Sequence, residues 1–380
     1  MKKIVIGSLA WLGVVSTSIG VCAPGTGPGT LVDIQPIKDI DPVIRDLGAE
    51  ALRVHYRSTS DVDGSSTVVG GALFVPKGKP PRGGWIVLAH AHGTSGIING
   101  CGPSLSPNLF GTAPLIAQYL KAGYAVAATD YQGLNGPGIH VYLDSKAEGY
   151  NVIDSVRALR HARPGLVSDR WVTVGGSQGG GASWAAAEQA PVYAQELHLV
   201  AAVNLVPAAD ISGYAQMAEN ESMTPLQVGA YTAILITQSF AHPELDMDQY
   251  RRGSVTSNWD ALSQCFGPRM EERNTAVGQI KPEELKPATH AATEKLTSLL
   301  KAMAVPQRKA DAPMLVVYAG KDEYINPAWT QAAIEKACHL GSQIEVEFQA
   351  DKGHGTFDWA HVFPWLADRV QGKPLEKPCR

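Results

Sequence analysis

Between residues 85 and 207, short and continuously apolar runs alternate with longer segments of helical spacing. The runs are WIVLAH (85–90), YAVAATD (124–130), WVTVGGS (171–177) and LVAAVNLVP (199–207). Strands this uniformly apolar are covered on both faces. The segments between them, APLIAQYLKAG, EGYNVIDSVRALRHAR and GGASWAAAEQA, read as helices, and Val152, Val156 and Leu159 fall on one face of the second. Few folds accept such a chain. It predicts an α/β architecture, with a mostly parallel sheet and helices on both faces, because each crossover must pass over the sheet. Two strands precede the pattern, ALRVHYRST and STVVGGALFVP, with a DVDGSS turn between them. Two more follow it, MLVVYAGKD (314–322) and IEVEFQ (344–349), each leading towards a helix.

Residues 211–312 break the rhythm and contain no clear strand. A structureless loop of that length is implausible in a compact domain. LQVGAYTAILITQSF and HAATEKLTSLLKAM read as amphipathic helices, the second with Leu296, Leu299, Leu300 and Met303 on one side. The expectation is therefore a core of residues 49–210 and 313–380, with a helical cap, 211–312, inserted between the sixth and seventh predicted strands. Residues 24–48 read as a lead-in, and its PGTGPGT stretch as flexible and without packing capacity.

Residues 1–23 read as a secretory signal peptide: Lys2 and Lys3, an apolar Ile4 to Val15, then small residues before a cleavage site. The apolar stretch is shorter than the roughly 20 residues that span a bilayer. Val21 is bulky where a lipoprotein signal centred on Cys22 wants a small residue. The expected location is secreted or periplasmic. Lys and Arg number 32 against 36 Asp and Glu, so there is no basic excess to hold a phosphate backbone, and nucleic acid is not an expected partner.

The chemistry is concentrated in three places. VGGSQGG (174–180) holds G-x-S-x-G as Gly175, Ser177 and Gly179, after a strand and before an Ala-rich helix. That context makes Ser177 a nucleophile held on a tight, strained turn. A serine needs a base. His354, in DKGHGTF after the last strand, has a glycine on each side to let the loop aim it. The imidazole needs a carboxylate to fix its tautomer. Asp322, after the strand beginning at Met314, gives the order Ser, Asp, His of α/β-hydrolases. Asp210 also follows a strand and is its rival, while Asp351 and Asp358 are near His354 only in sequence. Backbone N–H groups of Thr94, in AHAHGTSG, and of Gln178 are the candidate oxyanion hole. His90 and His92 form an H-x-H that could bind metal, but no third ligand lies nearby in sequence, so neither metal nor another cofactor is expected.

HGTSG, CGPS (101–104), ATDYQGLNGPG (128–138), VGGSQGG, NLVPAAD, AGKDEYI and KGHG together resemble the secretory lipases of fungi and bacteria, within the α/β-hydrolase superfamily. The resemblance spans residues 85–360. It implies hydrolysis of carboxylic esters, a lid before the strand that carries the acid, no cofactor, and transient contact with a lipid interface. Cys101 lies in the loop after the oxyanion motif and Cys265 in the cap; Cys338 lies in the helix after the Asp322 strand and Cys379 in the tail. A cap that covers Ser177 favours Cys101–Cys265 and Cys338–Cys379, and the related lipases also tie the CGPS-type loop to the cap. A serine peptidase of the same fold would need an acidic subsite, for which Glu219, Glu221 and Glu244 are the weak candidates. A non-catalytic binding protein on this fold usually lacks one of the three catalytic types, and here all three stand in order.

Overall fold

The computed structural model describes residues 25–60, 63–265 and 269–379. The expected signal peptide, with Cys22, lies outside them. Among the described residues one sheet of nine strands forms. Its strands are β1 (Leu31–Pro36), β2 (Glu50–Thr59), β3 (Ser66–Val75), β4 (Trp85–Ala91), β5 (Ala125–Thr129), β6 (Val167–Gly176), β7 (His198–Leu205), β8 (Met314–Ala319) and β9 (Ile344–Gln349). The spatial order is β1-β2-β3-β5-β4-β6-β7-β8-β9. Pairing is antiparallel from β1 to β5 and parallel from β5 to β9.

The helices of the core are α1 (Pro42–Arg45), α2 (Ala113–Lys121), α3 (Ser145–Ala162) and α4 (Gln178–Tyr193). After β7 come α5 (Gly213–Glu219), α6 (Pro225–Ala241), α7 (Gly253–Ser257), α8 (Trp259–Leu262), α9 (Met270–Gly278) and α10 (His290–Met303). The chain closes with α11 (Pro327–His339) and α12 (Val362–Val370). One face of the sheet is covered by α3 and α4, where Val152, Ile153 and Val156 meet Ala182, Ala186 and Ala190. Small residues are required there, because a Cβ on Gly149 of α3 would press on the Ala185 backbone of α4 at 2.9 Å. The other face is covered by Ile116, Ala117 and Leu120 of α2 and by Val362, Trp365 and Leu366 of α12. These are the two helical layers that the alternating sequence predicts.

The segment between β7 and β8 is helical, and its apolar residues join the top of the core. Val228, Tyr231, Ile234, Leu235, Leu296 and Leu300 cluster with Ile97, Tyr142, Tyr214 and Ile325. Leu296, Leu300 and Met303 are buried and Leu299 is half-buried, as the helical spacing predicts. Start signals explain the longest helix of the insertion: Thr224 and Gln227 form a reciprocal capping box with Pro225 at the first position of α6.

The lead-in differs from its sequence reading. Residues 31–36 form β1, paired antiparallel with β2, so the insertion follows the seventh strand and not the sixth. Gly29 donates to the Arg57 carbonyl at 2.6 Å and packs against the Arg157 side chain, and Ile37, Ile40 and Ile44 are buried. The residues of β1 itself are mostly exposed, so this edge strand has no apolar pattern to betray it.

The end of the insertion is tied to the helix that follows Ser177. Glu188 of α4 accepts from the backbone N–H of Gln307 at 2.9 Å. Burial pushes the Glu188 carboxyl up to about 7 from its ordinary 4.5. The fold thus favours the protonated form; this contribution is complete below 4.5 and is lost as pH rises through 7. Between these values the protein is expected to lose on the order of 3 kcal/mol through this group. Glu188→Gln should flatten that dependence in urea unfolding at pH 4.5 and 8. An unchanged slope would exclude Glu188 as its source.

Candidate active site

Strand β6 ends at Gly176 and helix α4 begins at Gln178, which leaves Ser177 alone to turn the chain. Its φ is 58° and its ψ −121°, a strained conformation for a non-glycine residue. Four backbone bonds hold it: its N–H donates to the Leu205 carbonyl at 2.9 Å, and its carbonyl accepts from Gly180 at 2.9 Å, Gly181 at 3.2 Å and Ala208 at 3.0 Å. The flanking glycines follow from the crowding. A Cβ on Gly175 would overlap the Gly179 carbonyl oxygen, and one on Gly179 would overlap that of Ala91. Strand and helix can approach this closely only without those side chains, and the turn then holds the hydroxyl out at the carboxyl end of the parallel strands.

His354 and Asp322 meet Ser177 there. His354 Nε2 lies 2.9 Å from Ser177 Oγ, and its Nδ1 lies 2.8 Å from Asp322 Oδ2. The loops after β8 and β9 bring the two residues together, and both are largely buried. The second carboxylate oxygen of Asp322 accepts from the backbone N–H groups of Tyr324 and Ile325, each at 2.9 Å. The loop of His354 is fixed through its own N–H, which donates to Glu323 Oε2 at 3.0 Å, and Tyr324 packs on the imidazole with ring centres 5.0 Å apart. A carboxylate held by two N–H groups keeps its orientation, so the imidazole presents Nε2 to the hydroxyl and can take its proton.

A cavity of about 300 Å³ opens beside Ser177 and His354. Thr94 lines it, with its hydroxyl 2.7 Å from that of Tyr142. Gln178 is the first residue of α4, where amide N–H groups have no partner within the helix. Its side chain is buried and donates to Glu148 Oε1 at 2.6 Å, with His140 Nε2 at 3.0 Å. Burial raises the Glu148 carboxyl well above its ordinary range and pushes His140 down to about 3, and both side chains hold the Gln178 amide behind the turn after Ser177. The sequence offers no signal for this cluster, nor for Tyr142 and Tyr324 as cavity walls.

The sequence model of the secretory lipases matches residues 112–377. This chain belongs to the secretory lipase family. It is 25% identical over 371 residues to the secreted triacylglycerol lipase LIP4 of Malassezia globosa, covering 90% of this chain and 77% of that protein. It is also 25% identical to lipase A of Arthroderma benhamiae over 392 residues, 93% of this chain and 78% of that protein. Among solved structures, the closed state of Candida antarctica lipase A superposes with a TM-score of 0.74 at 17% identity, over 93% and 84% of the two chains. The rice cell wall degrading esterase LipA of Xanthomonas oryzae superposes with a TM-score of 0.68 at 17% identity, over 91% and 97%. Those two likenesses carry the α/β-hydrolase fold. The reaction class of this secretory lipase is carboxylic-ester hydrolysis, and it is a secreted or periplasmic protein.

The other sequence candidates lie elsewhere in this secretory lipase. Asp210 accepts from the Ser212 N–H at 2.9 Å and has no bond to His354. Asp351 is exposed beside Lys321, and Asp358 accepts from the Ala360 N–H. Glu219, Glu221 and Glu244 pair with His290, Lys286 and His242 at the surface, and none lines the cavity. His90 and His92 pack against Tyr119 and Tyr131. Burial pushes His90 down to about 3, which keeps it neutral.

Two disulfides tie the lipase together, Cys101–Cys265 and Cys338–Cys379. The first fastens the insertion to the loop that carries Thr94. A Cβ on Gly96 would collide with Cys101, and would lie 3.1 Å from the Cys265 Cα. Replacing Cys101 and Cys265 by serine is expected to lower stability by about 2–5 kcal/mol, since the bond closes a long loop. Thermal unfolding of the double variant measures this; an unchanged midpoint would mean that the insertion holds its place without the bond.

Proposed function

We propose that this lipase cleaves carboxylic esters through an acyl-enzyme on Ser177. The observation that carries the reading is the continuous chain Ser177 Oγ, His354, Asp322, with links of 2.9 and 2.8 Å at the wall of a cavity. In this reading His354 takes the Ser177 proton as Oγ attacks the ester carbonyl. Charge then develops on the carbonyl oxygen, where the N–H groups of Thr94 and Gln178 stabilise it. The alcohol leaves with the proton from His354. Water, deprotonated by the same imidazole, then releases the acid.

The cavity also bears on substrate size. At about 300 Å³ it is at the small end of ligand sites, and Leu143, Ala208, Pro225, Leu226, Ala230 and Ile325 give it apolar walls. It suits an acyl chain of a few carbons better than a long one. In a series of 4-nitrophenyl esters from acetate to palmitate, kcat/KM is expected to peak between butyrate and octanoate and to fall beyond. A maximum at palmitate would show that the insertion rearranges to admit long chains. A fluorophosphonate probe tests the nucleophile in the same preparation: labelling at any residue but Ser177 would refute the mechanism.

A further inference from the structure

The loop between β8 and α11 carries Asp322, and the insertion grips that loop at two neighbouring peptide units. In the first, the Tyr324 N–H donates to Asp322 Oδ1 at 2.9 Å, while the carbonyl of the same unit, that of Glu323, accepts from Thr224 Oγ1 at 3.1 Å. In the second, the Ile325 N–H donates to Asp322 Oδ1 at 2.9 Å, while the Tyr324 carbonyl accepts from the Tyr214 hydroxyl at 2.8 Å and from Gln227 Nε2 at 3.2 Å. Each unit therefore has its N–H end on the carboxylate and its C=O end on the insertion. A peptide unit is planar, so a hold on the carbonyl fixes the direction in which the N–H points. A donor at the carbonyl also polarises the unit and strengthens the bond at its other end.

The donors are themselves held in place. Tyr214, from α5, is fully buried, and its ring meets the Trp329 ring edge-on with centres 5.3 Å apart. A Cβ on Gly213 would collide with the Trp329 indole, so α5 starts hard against α11. The Gln227 side chain accepts from the Thr224 N–H at 2.9 Å, and Thr224 Oγ1 accepts from the Gln227 N–H at 3.2 Å. Capping α6 uses only the oxygens of these two side chains. Their remaining donors, the Thr224 hydroxyl and the Gln227 amide, both go to the loop of Asp322. Glutamate at position 227 would cap the helix as well, and phenylalanine at position 214 would fill the same space, but neither could donate.

We propose that Tyr214, Thr224 and Gln227 are positioning residues of ester hydrolysis, which hold the Asp322 carboxylate, through these two peptide units, in the orientation that meets His354 Nδ1. The inference rests on the ester-hydrolase reading of Ser177, His354 and Asp322 above. It gives the insertion a part in the reaction besides walling the cavity. The carboxylate is aligned with the imidazole only while α5 and the first turn of α6 are seated on its loop. Small misplacements of a reacting group are costly even when the change lies away from the chemistry.

Tyr214→Phe removes one donor and keeps the ring, and Tyr214→Phe/Gln227→Met removes both donors to the Tyr324 carbonyl. With 4-nitrophenyl butyrate, kcat is expected to fall about three- to tenfold in the first and about ten- to a hundredfold in the second, with KM within about threefold of wild type. Thr224→Ser, which restores the hydroxyl, should recover the kcat lost in Thr224→Val. Tyr250→Phe is the control, since it removes a buried bond inside the insertion, from Tyr250 to the Ala292 carbonyl, that does not reach the loop. The Asp322→Asn background separates positioning from a merely structural role. There, Tyr214→Phe should change the rate of fluorophosphonate labelling at Ser177 by less than about twofold, because the two changes act through one group. The proposal is overturned if Tyr214→Phe costs as much in that background as in wild type, or if the double variant keeps the wild-type kcat. Since Tyr214 also lines the cavity, a loss confined to KM overturns it too, as does an equal loss of kcat in Tyr250→Phe. If the double variant does not fold, Tyr214→Phe and its effect in the Asp322→Asn background decide. A wild-type protein that takes up no fluorophosphonate at Ser177, or that Asp322→Asn leaves unimpaired, sinks the ester-hydrolase reading and this inference together. Turnover that needs both residues but is indifferent to Tyr214 and Gln227 sinks the inference alone.

Discussion

Ser177→Ala is expected to abolish ester turnover, by ~10⁴-fold or more, while leaving the fold intact. The size of the loss follows from how the site is built. The base and the turn both converge on this hydroxyl: His354 Nε2 stands 2.9 Å from it, and the strained backbone at φ 58° holds it out of the sheet. Alanine keeps the turn, because the Ser177 backbone makes the bonds to Leu205, Gly180 and Ala208. The side chain contributes no cap to α4, so the helix should not fray. Thermal unfolding should therefore stay within about 1 kcal/mol of wild type, as for substitutions that leave packing and caps untouched. Turnover of 4-nitrophenyl butyrate above a tenth of wild type in the purified variant would remove Ser177 from the mechanism.

The second large effect concerns the acid. Asp322→Asn is expected to lower kcat by ~10³–10⁴-fold, and Asp210→Asn by much less. An amide in place of the carboxylate could still accept from the Tyr324 and Ile325 N–H groups, so the loop should survive. It would offer His354 Nδ1 a neutral partner, and the imidazolium formed during attack would lose its counter-charge. Asp210 caps its own turn through the Ser212 N–H and has no bond to the imidazole. Its replacement should appear in stability before it appears in rate. If Asp210→Asn is the crippling change, the acid lies after β7, and the arrangement around His354 is not the one that works.

The core of this fold was readable because buried parallel strands carry an unbroken apolar signature, as in WIVLAH and MLVVYA. The meeting of Ser177, His354 and Asp322 was readable for a related reason. The elbow permits only glycine at positions 175 and 179, and that restriction leaves a fixed spacing around Ser177. Strand β1 was not readable, since its exposed edge leaves the side chains free to be polar. The contacts that hold Gln178 and Thr94 were hidden differently. Gln178 meets Glu148 across 30 residues of chain, and Thr94 meets Tyr142 across 48, so no local pattern records either contact. Arg273, a buried residue of the cavity wall, sits in MEERNTAVG, a helix whose apolar periodicity is too weak to say which face turns inward.

The two disulfides also sort Ser177, Asp322 and His354 by covalent connectivity. Cys101–Cys265 closes a ring that contains Ser177, and Cys338–Cys379 closes a smaller one that contains His354. Asp322 lies on the thread between the rings. A single backbone cut inside either ring leaves all three residues on one molecule. That protection extends to the part of the insertion that precedes Cys265. Between Cys265 and Asp322 it ends. A cut there divides the chain into one fragment bearing Ser177 and another bearing Asp322 and His354, with only non-covalent packing to keep them in register.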